Sequence, residues 1–122
     1  MKNRKLLIVD GDPKNLRILK NHFTEAGYQV DEASVDEEAV RLISQTTYNA
    51  ILTDLSGAQI DGLKILERLQ DAPRKETAVF FLTAKNDVWN RVTSLKRGAK
   101  DFIVKPFKAD KILETLGKIL VE

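Results

Sequence analysis

With 122 residues, 43% of them apolar and 31% charged, the chain has the length and composition of one globular domain, which we expect to span residues 1–122. It contains no cysteine and a single histidine, His22, which excludes a disulfide framework and a Cys/His zinc site. The formal net charge of +2 is too small to argue for direct nucleic-acid binding. Its apolar runs are too short for a signal peptide or a membrane span, so we expect a cytoplasmic protein without membrane contact.

Five short apolar runs recur along the sequence, and each predicts a β-strand. Four of them are unbroken, as is typical of parallel strands buried on both faces. The second run alternates between apolar and polar residues, which favours an edge strand. In chain order the runs are Leu6–Val9, Tyr28–Val30, Ala50–Leu52, Val79–Leu82 and Phe102–Val104.

Apolar residues at helical spacing follow each run, so five helices alternate with the five strands. This alternation predicts an α/β fold with a parallel sheet covered on both faces and right-handed crossovers. Residues suited to helix ends mark four of the helices. They are Asp12, Pro13 and Gly27 for the first helix, a capping box of Ser34 and Glu37 for the second, Asp61 for the third, and Asn86 or Asp87 with Gly98 for the fourth.

Polar side chains follow the apolar runs, and in open parallel sheets ligands bind at the carboxyl ends of the strands. Clustered carboxylates suit Mg²⁺, a lysine and a hydroxyl can orient a phosphoryl group, and a carboxylate can form an acyl phosphate. The pattern therefore predicts aspartate-based phosphoryl transfer with Mg²⁺. The residues concerned are Asp10, Gly11 and Asp12 after the first run, Thr53 and Asp54 after the third, Thr83 after the fourth, and Lys105 and Pro106 after the fifth.

Several of these residues also have a purely structural interpretation. Asp12 can cap a helix, Thr83 can satisfy backbone groups at a strand end, and Lys105 can be solvated. Asp54 is harder to explain in this way, because a lone charge at the end of an apolar strand is costly to bury. The joint occurrence of these side chains at four strand ends favours the chemical interpretation.

The chain resembles the receiver domain of response regulators from two-component signal transduction systems. The resemblance runs from Lys5 to Val121 and is specific because its motifs occur together, in order and at the family spacing. The motifs are Leu7-Ile8-Val9-Asp10 with Pro13 beyond, Asp54 with Asp61-Gly62 seven residues later, Leu82-Thr83-Ala84, and Gly98-Ala99 leading into Phe102-Ile103-Val104-Lys105-Pro106-Phe107.

The resemblance implies a flavodoxin-like three-layer sandwich of five βα units with strand order 2-1-3-4-5. It implies that Asp54 accepts a phosphoryl group from a sensor histidine kinase or a phosphotransfer protein. Asp10, Asp54 and the backbone carbonyl of Ser56 would bind Mg²⁺, with Asp12 as a further candidate ligand. Lys105 would pair with a phosphoryl oxygen, and the Lys105–Pro106 peptide bond would be cis.

The resemblance also implies a switch. The Thr83 hydroxyl would move toward the phosphoryl group, and the space vacated under the fourth helix would be filled by Phe102, where a tyrosine is common in the family. The output surface would be the face of the fourth helix, fifth strand and fifth helix, which would bind a downstream effector or a second copy of the chain. We expect a phosphoacceptor domain without an output domain, not an enzyme that turns over a separate substrate.

Two departures from the family pattern keep alternatives open. Gly11 stands where a second acid is usual, and Gly57-Ala58 replaces the usual Met-Pro pair beside Asp54. Gly11 predicts weakened Mg²⁺ binding. Together the two departures leave open a pseudo-receiver that works as a phosphorylation-independent interaction module. A remote alternative is a minimal phosphatase resembling the haloacid dehalogenase family, because Asp10-Gly11-Asp12 matches the Asp-x-Asp start of that family.

Overall fold

The computed structural model describes residues 4–57, 60–71, 77–83, 92–93 and 95–120, with the backbone alone for residues 56, 57 and 71. A five-stranded parallel sheet forms the centre of the molecule. We number its strands in chain order, and their spatial order is β2-β1-β3-β4-β5, as the resemblance implied. The strands are β1 (Lys5–Val9), β2 (Gln29–Ala33), β3 (Ala50–Asp54), β4 (Ala78–Thr83) and β5 (Asp101–Val104).

Helices cover both faces of the sheet. They are α1 (Pro13–Glu25), α2 (Asp36–Gln45), α3 (Gly62–Asp71) and the last helix (Ala109–Ile119). Residues 92, 93, 95 and 96 are helical and belong to the predicted fourth helix, whose remainder lies outside the described residues together with Asn86 and Asp87. Within the described part of the chain, no helix has the length and apolar character needed to cross a membrane.

Two apolar clusters, one on each face of the sheet, form where the helices pack against the strands. On one face, Leu19 and Phe23 of α1 and Ile112 and Leu116 of the last helix pack against the sheet. On the other face, α2 and α3 supply Ala39, Ile43, Ile65, Leu66 and Leu69. Every residue of β3 is buried, because neighbouring strands and helices enclose it on all sides.

The two edge strands differ in how well the sequence predicts them. β2 lies at one edge and is mostly exposed, as its alternating pattern predicted. The unbroken run Phe102–Val104 predicted a strand buried on both faces, and this prediction is wrong. β5 forms the other edge, so its residues are only partly buried.

The start of α1 is built as predicted. An Asp12 side-chain oxygen accepts the backbone N–H of Lys14 at 2.9 Å, and Pro13 occupies the first turn, where a missing N–H leaves no bond unmade. Gly27 follows the helix with φ +98°, a conformation that favours glycine. The Asp12 cap, three residues after β1 ends at Val9, thus fixes the start of α1.

The predicted capping box of α2 is wrong by one residue. Val35 is the N-cap, without a side-chain capping bond. The Ser34 N–H instead donates to the Glu38 carboxylate at 3.0 Å, where the sequence had predicted Glu37. The helix begins at Asp36, one residue later than a Ser34 cap would place it, so the acid that reaches back is also one residue later. By contrast, the Asp61 carboxylate caps α3 as predicted and accepts the Lys64 N–H at 3.2 Å.

Candidate functional site

Asp10 and Asp54 lie side by side at the carboxyl edge of the sheet. β1 and β3 are hydrogen-bonded neighbours in which Val9 pairs with Thr53, so the aspartate after each of these residues lies at the same level. Asp10 is 1% exposed and Asp54 is 7% exposed. Two carboxylates are therefore held together away from water, an arrangement that requires a compensating cation.

Lys105 supplies positive charge between these carboxylates. Its Nζ donates a hydrogen bond to Asp54 Oδ1 and lies 3.4 Å from Asp10 Oδ2. The Lys105 backbone N–H donates to the Thr83 carbonyl at 2.8 Å, which fixes the turn after β5. The Lys105–Pro106 peptide bond is cis, as the resemblance implied. Among the described residues, one ammonium group thus faces two carboxylates.

Further donors hold the carboxylate of Asp10. The Asp12 backbone N–H donates to its Oδ1 at 2.8 Å, and the Asn15 side-chain amide donates to its Oδ2 at 3.2 Å. Asn15 was absent from the sequence prediction. Its position in the first turn of a helix that starts just after Asp10 is the signal that could have found it, because side chains in that turn commonly reach back toward the residues before the helix.

The environment of the cluster shifts two pKa values. Burial raises the pKa of Asp54 above its usual range, and the charge of Asp10 raises it further. The Lys105 hydrogen bond and the Gly11 backbone N–H act in the opposite direction without cancelling that increase. Burial alone would lower the pKa of Lys105, but its hydrogen bond to Asp54 and the two carboxylate charges raise it. The ammonium therefore stays charged at neutral pH and holds the pair together.

Thr83 and Phe102 lie on the same face of the sheet. Phe81 pairs with Phe102 across β4 and β5, and Thr83 is two residues beyond Phe81 along its strand, so all three side chains point to one side. Thr83 is 3% exposed, and Phe102 is partly buried against the cluster under α2 and α3. The two residues predicted to act in a switch therefore occupy adjoining positions on one side of the sheet.

The residues predicted to bind metal divide into two groups. Asp10 and Asp54 converge, whereas Asp12 is exposed and its carboxylate caps α1. Ser56 directly follows this edge and pairs with Asp61 in a two-residue antiparallel ladder. Among the described residues, no group of three or more acidic or histidine side chains is arranged to hold a metal ion. Two buried carboxylates nonetheless fit Mg²⁺, which usually takes one or two carboxylates and keeps several waters.

Two glycines beside the site differ in the space around them. A Cβ on Gly62 would lie 2.5 Å from the Asp54 carbonyl oxygen and 2.6 Å from Phe81 Cε1, so any side chain there would displace the acceptor strand. A Cβ on Gly11 would meet no atom within 4 Å. The site therefore requires a glycine at position 62 and has room for the acid that position 11 lacks.

Residues 6–117 match the response regulator receiver domain family. The chain belongs to this family. It is thus a receiver domain of two-component signal transduction systems, and the resemblance seen in the sequence is confirmed. The five-stranded parallel sheet with its covering helices is the flavodoxin-like fold that was predicted.

Individual relatives agree with this assignment. Transcriptional regulatory protein SrrA of Staphylococcus aureus is 34% identical over 118 residues, which cover 97% of this chain and 48% of that protein. The chain thus spans about half the length of the curated relatives it matches. A crystal structure described as a response regulator from Chloroflexus aurantiacus superimposes with a TM-score of 0.89 at 30% identity, covering 99% of this chain and 100% of the other.

A third structure shares the fold at lower identity. The receiver domain of sensor histidine kinase PA1611 from Pseudomonas aeruginosa has a TM-score of 0.84 and 24% identity, with coverage of 96% of this chain and 97% of the other. That structure holds a magnesium ion coordinated in its active-site cleft.

Proposed function

We propose that this receiver domain is a phosphorylation-controlled switch in which Asp54 accepts the phosphoryl group. The observation that carries the proposal is the Lys105 ammonium bonded to Asp54 and lying beside Asp10, with both carboxylates buried at the carboxyl edge of the sheet. A buried acidic pair is unfavourable for stability alone. The two carboxylates are suited to binding a cation, and the Lys105 ammonium is suited to pairing with a phosphoryl oxygen.

The reaction is a transfer between two covalent partners. An Asp54 carboxylate oxygen forms a bond to phosphorus as the bond between phosphorus and the histidine nitrogen of a kinase or phosphotransfer protein breaks, and that nitrogen keeps the electron pair. With acetyl phosphate as donor, the bond to the acetate oxygen breaks instead and acetate leaves. The chain changes only its own phosphorylation state, so it acts as a signalling domain and not as an enzyme on a separate substrate.

The neighbouring residues have separate roles in this transfer. The Lys105 ammonium lies beside both carboxylates. It would therefore be close to a phosphoryl group on Asp54, and we expect it to leave Asp10 and pair with a phosphoryl oxygen. Asp10, Asp54 and the Ser56 carbonyl would hold Mg²⁺, which supplies positive charge to the phosphoryl oxygens. The magnesium coordinated in the cleft of the PA1611 receiver domain, which shares the fold, supports magnesium as the cation.

The consequence of phosphorylation is transmitted through Thr83 and Phe102. A phosphoryl group at Asp54 offers acceptor oxygens to the Thr83 hydroxyl, and a shift of Thr83 changes the space available to Phe102 on the same face. The output surface is the face of the helical residues near position 95, β5 and the last helix. Its exposed apolar side chains Val92 and Leu95, 45% and 41% exposed, suit contact with an effector or a second copy.

Phosphorylation by a small donor tests this proposal. The purified protein is incubated with Mg²⁺ and acetyl phosphate, and its mass is then measured by intact-protein mass spectrometry. We expect the wild type to gain one phosphoryl group and Asp54→Asn to gain none. Asp61→Asn is the matched control, because Asp61 is an exposed carboxylate in the same segment, and it should be modified like the wild type. Equal modification of Asp54→Asn and the wild type would contradict the proposal.

A phosphorylation-independent pseudo-receiver is the second candidate, and Gly11 is the observation that favours it. With glycine in place of an acid, the Mg²⁺ site depends on two carboxylates. A wild-type protein that gains no phosphoryl group even with Mg²⁺ in large excess would favour this candidate.

Restoring the acid at position 11 sharpens the choice. Because a Cβ at this position would meet no neighbouring atom within 4 Å, we expect Gly11→Asp to fold and to add a ligand. We expect Mg²⁺ to bind about tenfold more tightly, the lower end of what a single group at a metal site contributes. Titration of Mg²⁺ against the fluorescence of Trp89, the single tryptophan, measures both affinities. Equal affinities would show that Gly11 does not weaken the site.

A further inference from the structure

We propose that Asn15 is a positioning residue that holds the Asp10 carboxylate in the orientation needed to bind Mg²⁺. This inference rests on the proposed function, because it concerns the same site. Asn15 Nδ2 lies 3.2 Å from Asp10 Oδ2, and Asp10 is 1% exposed. A carboxylate only accepts hydrogen bonds, so the amide must present its NH₂ group to it.

The two oxygens of Asp10 are held in different ways. Oδ1 accepts from the rigid backbone N–H of Asp12, at 2.8 Å. Oδ2 faces two side chains, the Asn15 amide at 3.2 Å and the Lys105 ammonium at 3.4 Å. Lys105 is shared with Asp54 and, in the proposed reaction, turns toward the phosphoryl group. Among the described residues, Asn15 is therefore the side-chain donor that would remain with Oδ2 throughout the proposed reaction.

The place of Asn15 in the fold suits this role. It lies in the first turn of α1, and the same turn is anchored by the Asp12 cap and by Pro13. The amide thus lies on a rigid element, and it reaches back across the turn to Asp10, the residue that directly follows β1. Groups that orient a metal-binding carboxylate commonly change metal affinity by about 10- to 100-fold when removed.

Gly11 makes this contribution larger than it would be in a site with a second acid. With a glycine at position 11, Asp10 supplies one of the two carboxylates that converge here, so an error in its orientation cannot be offset by a neighbour. We therefore expect Mg²⁺ affinity to depend on Asn15 more steeply in the wild type than in Gly11→Asp.

The test compares Asn15→Leu with the wild type, because leucine has nearly the same shape and no donor. Isothermal titration calorimetry measures Mg²⁺ binding, and acetyl phosphate labelling is followed over a range of Mg²⁺ concentrations. We expect the dissociation constant to rise about tenfold and the labelling rate at saturating Mg²⁺ to stay within about twofold of the wild type. Asn21→Leu is the matched control, since it makes the same chemical change at an exposed position of the same helix.

The outcomes separate the two proposals. A wild type that binds no Mg²⁺ and gains no phosphoryl group overturns the proposed function and this inference with it. A wild type that binds Mg²⁺, together with an Asn15→Leu variant of unchanged affinity, overturns the role of Asn15 alone. A loss of affinity in Asn21→Leu as large as that in Asn15→Leu would also overturn it. If Asn15→Leu does not fold, Asn15→Ala, which also lacks the donor, answers the same question.

Discussion

The two ends of the central sheet treat their polar groups in opposite ways. At the amino end, the Asn49 side chain accepts the Lys5 N–H at 2.9 Å, and the Thr77 hydroxyl donates to the Tyr48 carbonyl at 2.7 Å. At the carboxyl end, two carboxylates are buried around one ammonium group. The amino end pairs neutral groups that stabilise the fold, whereas the carboxyl end holds two carboxylates together, an arrangement that a bound cation would stabilise.

Asp31 and Asp54 each accept a side-chain hydrogen bond, but they differ in their access to water. The buried Tyr48 hydroxyl donates to Asp31 Oδ2 at 2.6 Å, but Asp31 lies on the exposed edge strand and keeps its access to water. Asp54 receives a comparable short contact from Lys105 while it is buried. A carboxylate at the margin of the sheet therefore stabilises the fold, whereas the one inside the carboxyl edge is the residue that we propose accepts the phosphoryl group.

Removing the ammonium should lower the stability of the carboxyl edge directly. Lys105→Met leaves two buried carboxylates facing each other, and we expect the free energy of unfolding in metal-free buffer to fall by about 1–3 kcal/mol. The partial exposure of the Lys105 side chain, 32%, keeps the loss below that of a fully buried pair. Urea unfolding measures it, and Lys111→Met on the exposed surface of the last helix is the control.

A second variant separates repulsion from lost packing. In an Asp54→Asn background, Lys105→Met removes the ammonium from a site with one carboxylate, so its cost should be smaller than in the wild type. Equal costs in both backgrounds would show that the carboxyl edge stores no repulsion, and the contrast between the two ends would not hold.

Gly62 tests how tightly the acceptor strand is packed. In Gly62→Ala the new methyl group would meet the Asp54 carbonyl oxygen and Phe81, so we expect a loss of about 1–3 kcal/mol in unfolding free energy. Gly117→Ala is the control, because it lies inside the last helix with no atom within 4 Å of the added carbon. It should stabilise the protein by up to about 1 kcal/mol. A neutral Gly62→Ala would show that the strand yields without cost.

Among these destabilising variants, Tyr48→Phe should change the free energy of unfolding least, and its effect should depend on pH. Burial raises the pKa of Tyr48, and the hydrogen bond to Asp31 raises it further. Tyr48→Phe should therefore cost about 1 kcal/mol at neutral pH. Because the pKa of Tyr48 is higher in the folded state than in the unfolded state, its hydroxyl stabilises the fold fully at a pH below the unfolded-state pKa of about 10. This stabilisation is lost as the pH rises toward the folded-state pKa.

The stabilities of the two proteins should accordingly converge as the pH rises above about 10. Thermal unfolding at pH 8 and at higher pH checks this expectation. A difference that is constant over the whole alkaline range would mean that the Tyr48 hydroxyl contributes nothing that depends on its proton.

The sequence predicted which residues meet at the carboxyl edge, but it did not predict the contacts around them. Apolar runs that end in Asp10, Asp54 and Lys105 predict convergence, because parallel strands bring their carboxyl ends to one edge. The hydrogen bond from Asn15 was missed because it depends on a side chain reaching across a helix turn, which spacing alone does not specify. The close packing around Gly62 was missed because it depends on how α3 approaches β3.

Errors at the boundaries have the same origin. The apolar run Ala50–Leu52 locates β3 without fixing its end, and the pairing with β4 continues as far as Asp54, which pairs with Leu82. The predicted capping box was placed one residue early, since either of two adjacent glutamates can reach back from the first turn. Local patterns locate an element, and its neighbours determine where it ends.

The most direct test of the central claim is to locate the phosphoryl group after treatment with Mg²⁺ and a phosphoryl donor. Borohydride reduction of the labelled protein converts an aspartyl phosphate into homoserine, and peptide mass spectrometry identifies the converted residue. The account predicts conversion at Asp54 and none at Asp10, although both carboxylates are buried in the same cluster. Conversion at Asp10 would contradict it and would favour the chemistry of an Asp-x-Asp phosphatase.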